Sequence, residues 1–209
     1  MKKFLIVLLV LVLAIFAIWK FVFNKEKKPS GPKQQPIAQS KYSESFNESI
    51  HRVMNAYYGM TEGFVNWDTT VINKYSAELK VALDSLSLEE VKKDTLIYQT
   101  AISSVDNSKT ELTGLIQDAT LDEKRGSLNI FSNYLYDLLR TVKYDAAKVY
   151  LQECPMAFND ENPGNWLSET NAVRNPYLGM HHPKYGKGML TCGGPKDTLN
   201  FMSAEPIKK

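Results

Sequence analysis

Soft sulfur donors and imidazoles are concentrated in one segment near the C-terminus of this 209-residue chain. Residues 154–193 contain both cysteines, three of the seven methionines and two of the three histidines. Thiolate and thioether sulfur select soft ions such as Cu(I), and imidazole binds copper and zinc. The segment is therefore a candidate copper site. Its candidate ligands are Cys154, Met156, Met189, Cys192, His181, His182 and, from farther upstream, His51.

Each candidate ligand also has an ordinary structural interpretation. The two cysteines could form a disulfide, which in the chain-entropy treatment would stabilise the fold by roughly 4 kcal/mol. Methionines commonly fill gaps in a core. Of the adjacent His181 and His182, at most one is expected to face a single site, and both could lie in an exposed loop. His51 could be a buried, hydrogen-bonded histidine of the first helix, or a ligand if the C-terminal segment folds over that helix. Under either interpretation of the cysteines, we expect their sulfur atoms to lie close together.

Composition and motifs narrow the class of function. The formal net charge is +2, and no basic stripe interleaved with aromatic residues is present, so nucleic acid is not an expected partner. The phosphate-binding glycine loop and the common hydrolase, zinc-protease and haem-attachment motifs are missing. We therefore expect a protein that is not an enzyme. A thiol oxidoreductase is the weakest alternative, because the chain has no C-x-x-C pair and no obvious base.

Upstream of this segment, residues 43–142 show helical periodicity. Apolar residues recur at spacings of three and four, and no strand-like alternation competes with them. Short loops between four such segments predict an antiparallel four-helix bundle, so the expected fold class is mainly α. The pattern stops after about residue 152, where Pro, Gly, Asn and Trp dominate. Residues 152–194 are predicted to be irregular and packed on the bundle, and residues 195–209 to be a poorly ordered tail. The predicted helix starts are Ser45 and Thr120, each in a capping box, together with Asp68 and Ser87.

The N-terminus predicts export. Residues 1–23 are almost entirely apolar after Lys2 and Lys3, which is long enough for a transmembrane helix with Lys20 reaching the headgroups. A cleaved signal peptide is the alternative, although bulky and charged residues follow the apolar run where small residues would be expected. Residues 24–42 are polar and proline-rich, which predicts a flexible linker. The expected arrangement is an inner-membrane anchor with the domain of residues 43–194 in the periplasm, where disulfides form.

Several short motifs carry a resemblance to a known family. The chain has Cys-Pro-Met-Ala at residues 154–157, Trp-Leu-Ser at 166–168, Asn-Pro-Tyr-Leu-Gly at 175–179 and Met-Leu-Thr-Cys-Gly at 189–193. Together with "IHRVMNAYYGMTEGFV" at residues 50–65, this pattern resembles a bacterial family of export-directed domains of unknown function. Members occur alone, often in Bacteroidetes, or attached to the periplasmic adaptor subunits of copper and silver efflux pumps. The resemblance implies heavy-metal handling, with copper as the metal.

Residues and resemblance together predict a membrane-tethered periplasmic module that binds copper as Cu(I) and serves metal efflux or resistance. Its expected partners are the metal ion, an efflux adaptor protein and the inner membrane. The alternative is a disulfide-stapled interaction module that takes no metal and docks on a membrane or efflux partner.

Overall fold

The computed structural model describes residues 40–202, which form one unit of four α-helices and a three-stranded sheet. The helices are α1 (Glu44–Val65), α2 (Thr69–Asp84), α3 (Thr95–Gln117) and α4 (Leu121–Val142). Short 3-10 helices span Glu89–Val91 and Lys187–Met189. The strands are β1 (Val149–Phe158), β2 (Asn162–Ser168) and β3 (Gly194–Leu199).

Two of the four predicted helix starts are confirmed, and two are shifted along the chain. Thr120 forms the predicted capping box with Glu123, and Asp68 caps α2 by accepting from the backbone N–H groups of Thr70 and Val71. The first helix starts earlier than predicted, because the Ser43 side chain accepts from the Phe46 N–H and so acts as the N-cap. The third long helix starts later, after Asp94, so the region near Ser87 forms only a 3-10 turn.

The helices pack as the apolar spacing predicts. The inward positions of α1 and α4, such as Tyr57, Phe64, Phe131 and Leu135, are fully buried. Helix α1 packs chiefly on α2, and α3 chiefly on α4. Gly63 permits the close approach of α2, since a Cβ there would lie 2.9 Å from the Ile72 backbone nitrogen.

The predicted fold class is wrong for the C-terminal part. A pure helical bundle with an irregular segment was expected, but this part contains a three-stranded antiparallel sheet in the order β2-β1-β3. The residues expected to be a disordered tail after Gly194 supply β3. Edge strand β2 packs on the helices, chiefly on α4 and also on α1.

The three strands could not be predicted from the spacing of apolar residues, and each strand shows a physical reason. The central strand β1 has consecutive buried residues at Leu151 and Gln152, so its burial does not alternate cleanly. The edge strand β2 contains Pro163, which is tolerated there because an edge residue need not donate to the ladder. Strand β3 is mostly polar and exposed, and is defined by its pairing with β1.

The predicted transmembrane helix of residues 1–23 lies outside the described residues, as does most of the predicted linker. Within residues 40–202, no helix is long and apolar enough to cross a membrane.

Candidate functional site

The two cysteines meet at the edge between the sheet and the loop that precedes β3. Cys154 lies on β1 opposite Gly164 of β2 and is fully buried. Cys192 follows the second 3-10 helix, is half-buried, and donates its backbone N–H to the Met189 carbonyl. Both thiols are free, and their Sγ atoms lie 3.0 Å apart. The expected proximity of the cysteines is therefore confirmed.

Asn175 holds the loop that brings Cys192 to β1. Its backbone N–H donates to the Leu190 carbonyl at 2.9 Å, and its side-chain Nδ2 donates to the Cys192 carbonyl at 3.0 Å. Its Oδ1 accepts from the backbone N–H groups of Tyr177 and Leu178. Because the side chain is fully buried, these bonds are shielded from competing water. One asparagine thus ties the start of the loop to its end.

Gly193 allows the closest approach of the loop to β1. Its φ is +110°, and a Cβ at this position would lie 2.2 Å from the Glu153 carbonyl oxygen. Only glycine fits this combination of backbone angle and contact. The Cys-Gly order in the motif at residues 192–193 therefore has a steric cause.

The environment of Cys192 favours the protonated form of its thiol. Burial raises the pKa of the Cys192 thiol well above its usual range, and the hydrogen bond with Cys154 acts in the same direction. The thiolate is the nucleophile and the metal ligand, so either reaction of this pair must first remove a proton. Such a pair is slow to react without an oxidant or a metal ion that displaces protons.

The two methionines beside the cysteines differ in their surroundings. Both are half-buried and pack against the core. Met156 lies where β1 bulges against β2, between Cys154 and Phe158, and it lines a cavity described below. Met189 ends the 3-10 helix one turn before Cys192. Met189 is thus tied to the cysteine loop through the backbone, and Met156 to the cavity.

The histidines do not join the sulfur atoms. His51 is exposed on α1, with Nδ1 3.3 Å from Asn55 and 3.9 Å from Glu48. His181 is exposed. His182 packs edge-to-face on Trp67, and its Nδ1 accepts from two backbone N–H groups of its own turn, which occupies that nitrogen.

A seven-residue metal site is therefore not formed. Within residues 40–202, no group of three or more His, Cys, Asp or Glu side chains converges. The physical reason lies in the sheet: it packs on the helices through β2, and His182 is held in a local turn by its pairing with Gly186. What remains of the predicted site is the dithiol of Cys154 and Cys192, with Met189 nearby in sequence.

A cavity of about 600 Å³ lies at the end of β1, and Met156 lines it but neither cysteine does. Its walls come from Trp67, Arg125, the end of β1 and the loop after Asn175. Arg125 was not expected from the sequence. The signal was present, because Arg125 stands on the same helical stripe as the buried Leu128 and Ser132, where an apolar residue is usual.

Comparisons of the chain with protein-family models, curated proteins and solved structures gave no match.

Proposed function

We propose that this chain is a non-catalytic binding module whose functional centre is the Cys154–Cys192 dithiol. In the reduced state the dithiol binds copper as Cu(I), and in the oxidised state it closes to a disulfide. The observation that carries the proposal is the 3.0 Å contact between the two sulfur atoms, which residues 38 positions apart make only because the loop is folded back on β1.

The chemistry of the pair supports a soft ion. Two thiols are the softest donor set that protein side chains offer, and they favour Cu(I) over hard cations. Binding displaces the thiol protons, so the raised pKa of Cys192 makes the affinity depend steeply on pH. Oxidation removes both donors at once, so an oxidising compartment would leave the centre unable to bind metal. The chain resembles domains attached to copper and silver efflux adaptors, and this resemblance suggests that the module acts in metal efflux.

Anaerobic titration of the reduced full-length chain with Cu(I), in competition with a chromogenic chelator, tests the proposal. We expect one tightly bound Cu(I) per chain, no binding after oxidation, and affinity that rises with pH. Cys154→Ser and Cys192→Ser should each abolish tight binding. Met54→Leu, which changes a buried methionine of α1, is the matched control and should bind as the wild type does.

X-ray absorption of the loaded protein counts the neighbours of the metal. We expect two short sulfur contacts, and Met189→Leu shows whether a third sulfur takes part. If the Cys154→Ser, Cys192→Ser double variant binds Cu(I) as tightly as the wild type, the dithiol is not the site.

The second candidate is an interaction module that uses the same pair only as a disulfide staple. The raised pKa of Cys192 favours this candidate, because a protonated thiol is a poor metal ligand. It is also favoured because no three His, Cys, Asp or Glu side chains in residues 40–202 are grouped as a metal site would need. It predicts a persistent disulfide and no metal uptake by the reduced protein. Turnover in an insulin-reduction assay would contradict both candidates and point to a thiol oxidoreductase.

A further inference from the structure

Arg125 is a buried cation with an unused donor. The residue is 4% exposed on α4, and its guanidinium carbon lies 4.0 Å from the centre of the Trp67 ring. Nη1 donates to Asp122 at 3.0 Å, and Nε donates weakly to the Pro176 carbonyl at 3.4 Å. Nη2 is buried and has no hydrogen-bond partner within residues 40–202. A buried guanidinium nitrogen without an acceptor is costly, so a native fold is expected to supply one or to bind one.

The cavity that Arg125 lines can hold a small organic molecule. Its volume of about 600 Å³ is in the range of ligand pockets. One part of its wall is aromatic and aliphatic, formed by Trp67, Met156, Phe158, Tyr177 and Leu178. The other part is polar, formed by Asp122, Arg125, Asn159, Asp160, His182 and Lys184. The apolar part of the wall suits an apolar body, and the polar part suits a charged or hydrogen-bonding group on the same molecule.

The acidic residues of the cavity do not cancel the free donor. Asp160 accepts from Lys184 at 2.6 Å and from the Tyr185 hydroxyl at 2.9 Å. Asp122 accepts a hydrogen bond from Nη1 of Arg125 and not from Nη2, and the Asp122 side chain is 91% exposed to water. The donor that remains for a ligand is the Nη2 amino group, which recognises an oxyanion.

Three residues that line the cavity have a left-handed backbone. Trp67, Asn159 and Asp160 all line it and have φ values of 58°, 54° and 62°. Asn and Asp tolerate this region, but a tryptophan there is unusual. The Trp67 side chain is held in place by its Nε1–H, which donates to the Leu178 carbonyl at 3.2 Å. This backbone angle belongs to the end of α1, where the Asp68 N–H donates to the Gly63 carbonyl at 2.9 Å, and it places the indole at the cavity.

We propose that this cavity binds a small organic carboxylate with an apolar body. The carboxylate oxygen accepts from Nη2 of Arg125, and the apolar body lies among Trp67, Phe158 and Tyr177. The site is distinct from the dithiol and needs no metal. The class of ligand follows from one buried guanidinium donor on a residue that lines the cavity together with aromatic side chains.

The test compares two probes of nearly equal shape on the full-length chain. Benzoate carries the carboxylate, and benzamide is its neutral counterpart. Isothermal titration should give benzoate at least a tenfold tighter affinity than benzamide, the difference expected for a charge-assisted hydrogen bond. Amide and indole NMR shifts should change at Trp67 and Leu178, and should not change in the groove between α1 and α2 at Tyr75.

Arg125→Gln should lower the benzoate affinity to that of benzamide. Arg140→Gln is the matched control, because Arg140 is also on α4, also pairs with an aspartate three residues earlier and also lies over an aromatic ring, but is exposed. It should leave benzoate binding unchanged. The comparison of benzoate with benzamide on the wild type needs no variant, so it tests carboxylate binding even if Arg125→Gln unfolds. Equal affinity for the two probes, no saturable benzoate binding, or shifts confined to the α1–α2 groove would overturn the proposal.

Discussion

Oxidation of the cysteine pair to a disulfide should stabilise the fold by an amount that depends on the length of the loop between the two cysteines. The two cysteines are 38 positions apart, and their sulfur atoms already touch, so closing the bond requires little movement of β1 or the loop. In the chain-entropy treatment, a cross-link over a loop of this length removes unfolded-state freedom worth about 4 kcal/mol at 25 °C. For a domain of this size, that corresponds to a rise in Tm of about 8–16 °C.

Circular dichroism during heating and urea unfolding would measure this difference. One sample is oxidised with oxidised glutathione and the other is kept in a phosphine reductant, with thiol counts by mass spectrometry of alkylated protein. The double variant Cys154→Ala, Cys192→Ala is the control, and its transition should not respond to the reductant. Identical transitions for the oxidised and reduced wild type would refute the reasoning, as would two free thiols after oxidation.

Three further outcomes follow from single contacts. Tyr57→Phe removes the hydroxyl that accepts from the buried Leu167 N–H at 2.9 Å, so the free energy of unfolding in urea should fall by about 1–3 kcal/mol, and a loss below about 0.5 kcal/mol would contradict this. Gly193→Ala should lower Tm clearly more than Gly186→Ala, because both glycines have positive φ but only the Cβ at Gly193 would meet Glu153. Cys192 in the reduced protein should react with iodoacetamide at pH 8 at least about tenfold more slowly than free cysteine, because its raised pKa keeps the thiol protonated. The rate should climb as pH rises beyond 9, and a plateau already at pH 8 would mean that the pKa is not raised.

The helical part of the fold could be predicted because its signals are local. The caps at Asp68 and Thr120 depend on side chains within three residues of the helix start, and the inward stripe of α4 repeats every three or four residues. The errors at the other two helix starts have the same local character. At the first helix two serines compete for the cap, and Ser43 makes the hydrogen bond.

The sheet and the cavity could not be predicted because they depend on contacts between distant residues. Strand β3 has no apolar pattern, and it forms because residues 194–199 pair with β1. The role of Arg125 depends on Trp67 from the α1–α2 connection and Pro176 from the C-terminal loop, which no spacing along the chain reveals. The proximity of the two cysteines could be predicted because the chain has only two cysteines, and both a disulfide and a shared metal ion would bring them together.

The density of Gly, Pro and Asn in residues 154–193 has a mechanical explanation that holds for either proposed site. The loop from Asn175 to Cys192 contains only a short 3-10 helix and one isolated bridge, so it must be fastened at its ends. Asn175 and Gly193 provide two of these fastenings, and the thiol contact provides a third. The same loop and the end of β1 form most of the cavity wall, and both lie between the two cysteines. The segments that form these walls are therefore joined at their outer ends by the contact between the two sulfur atoms.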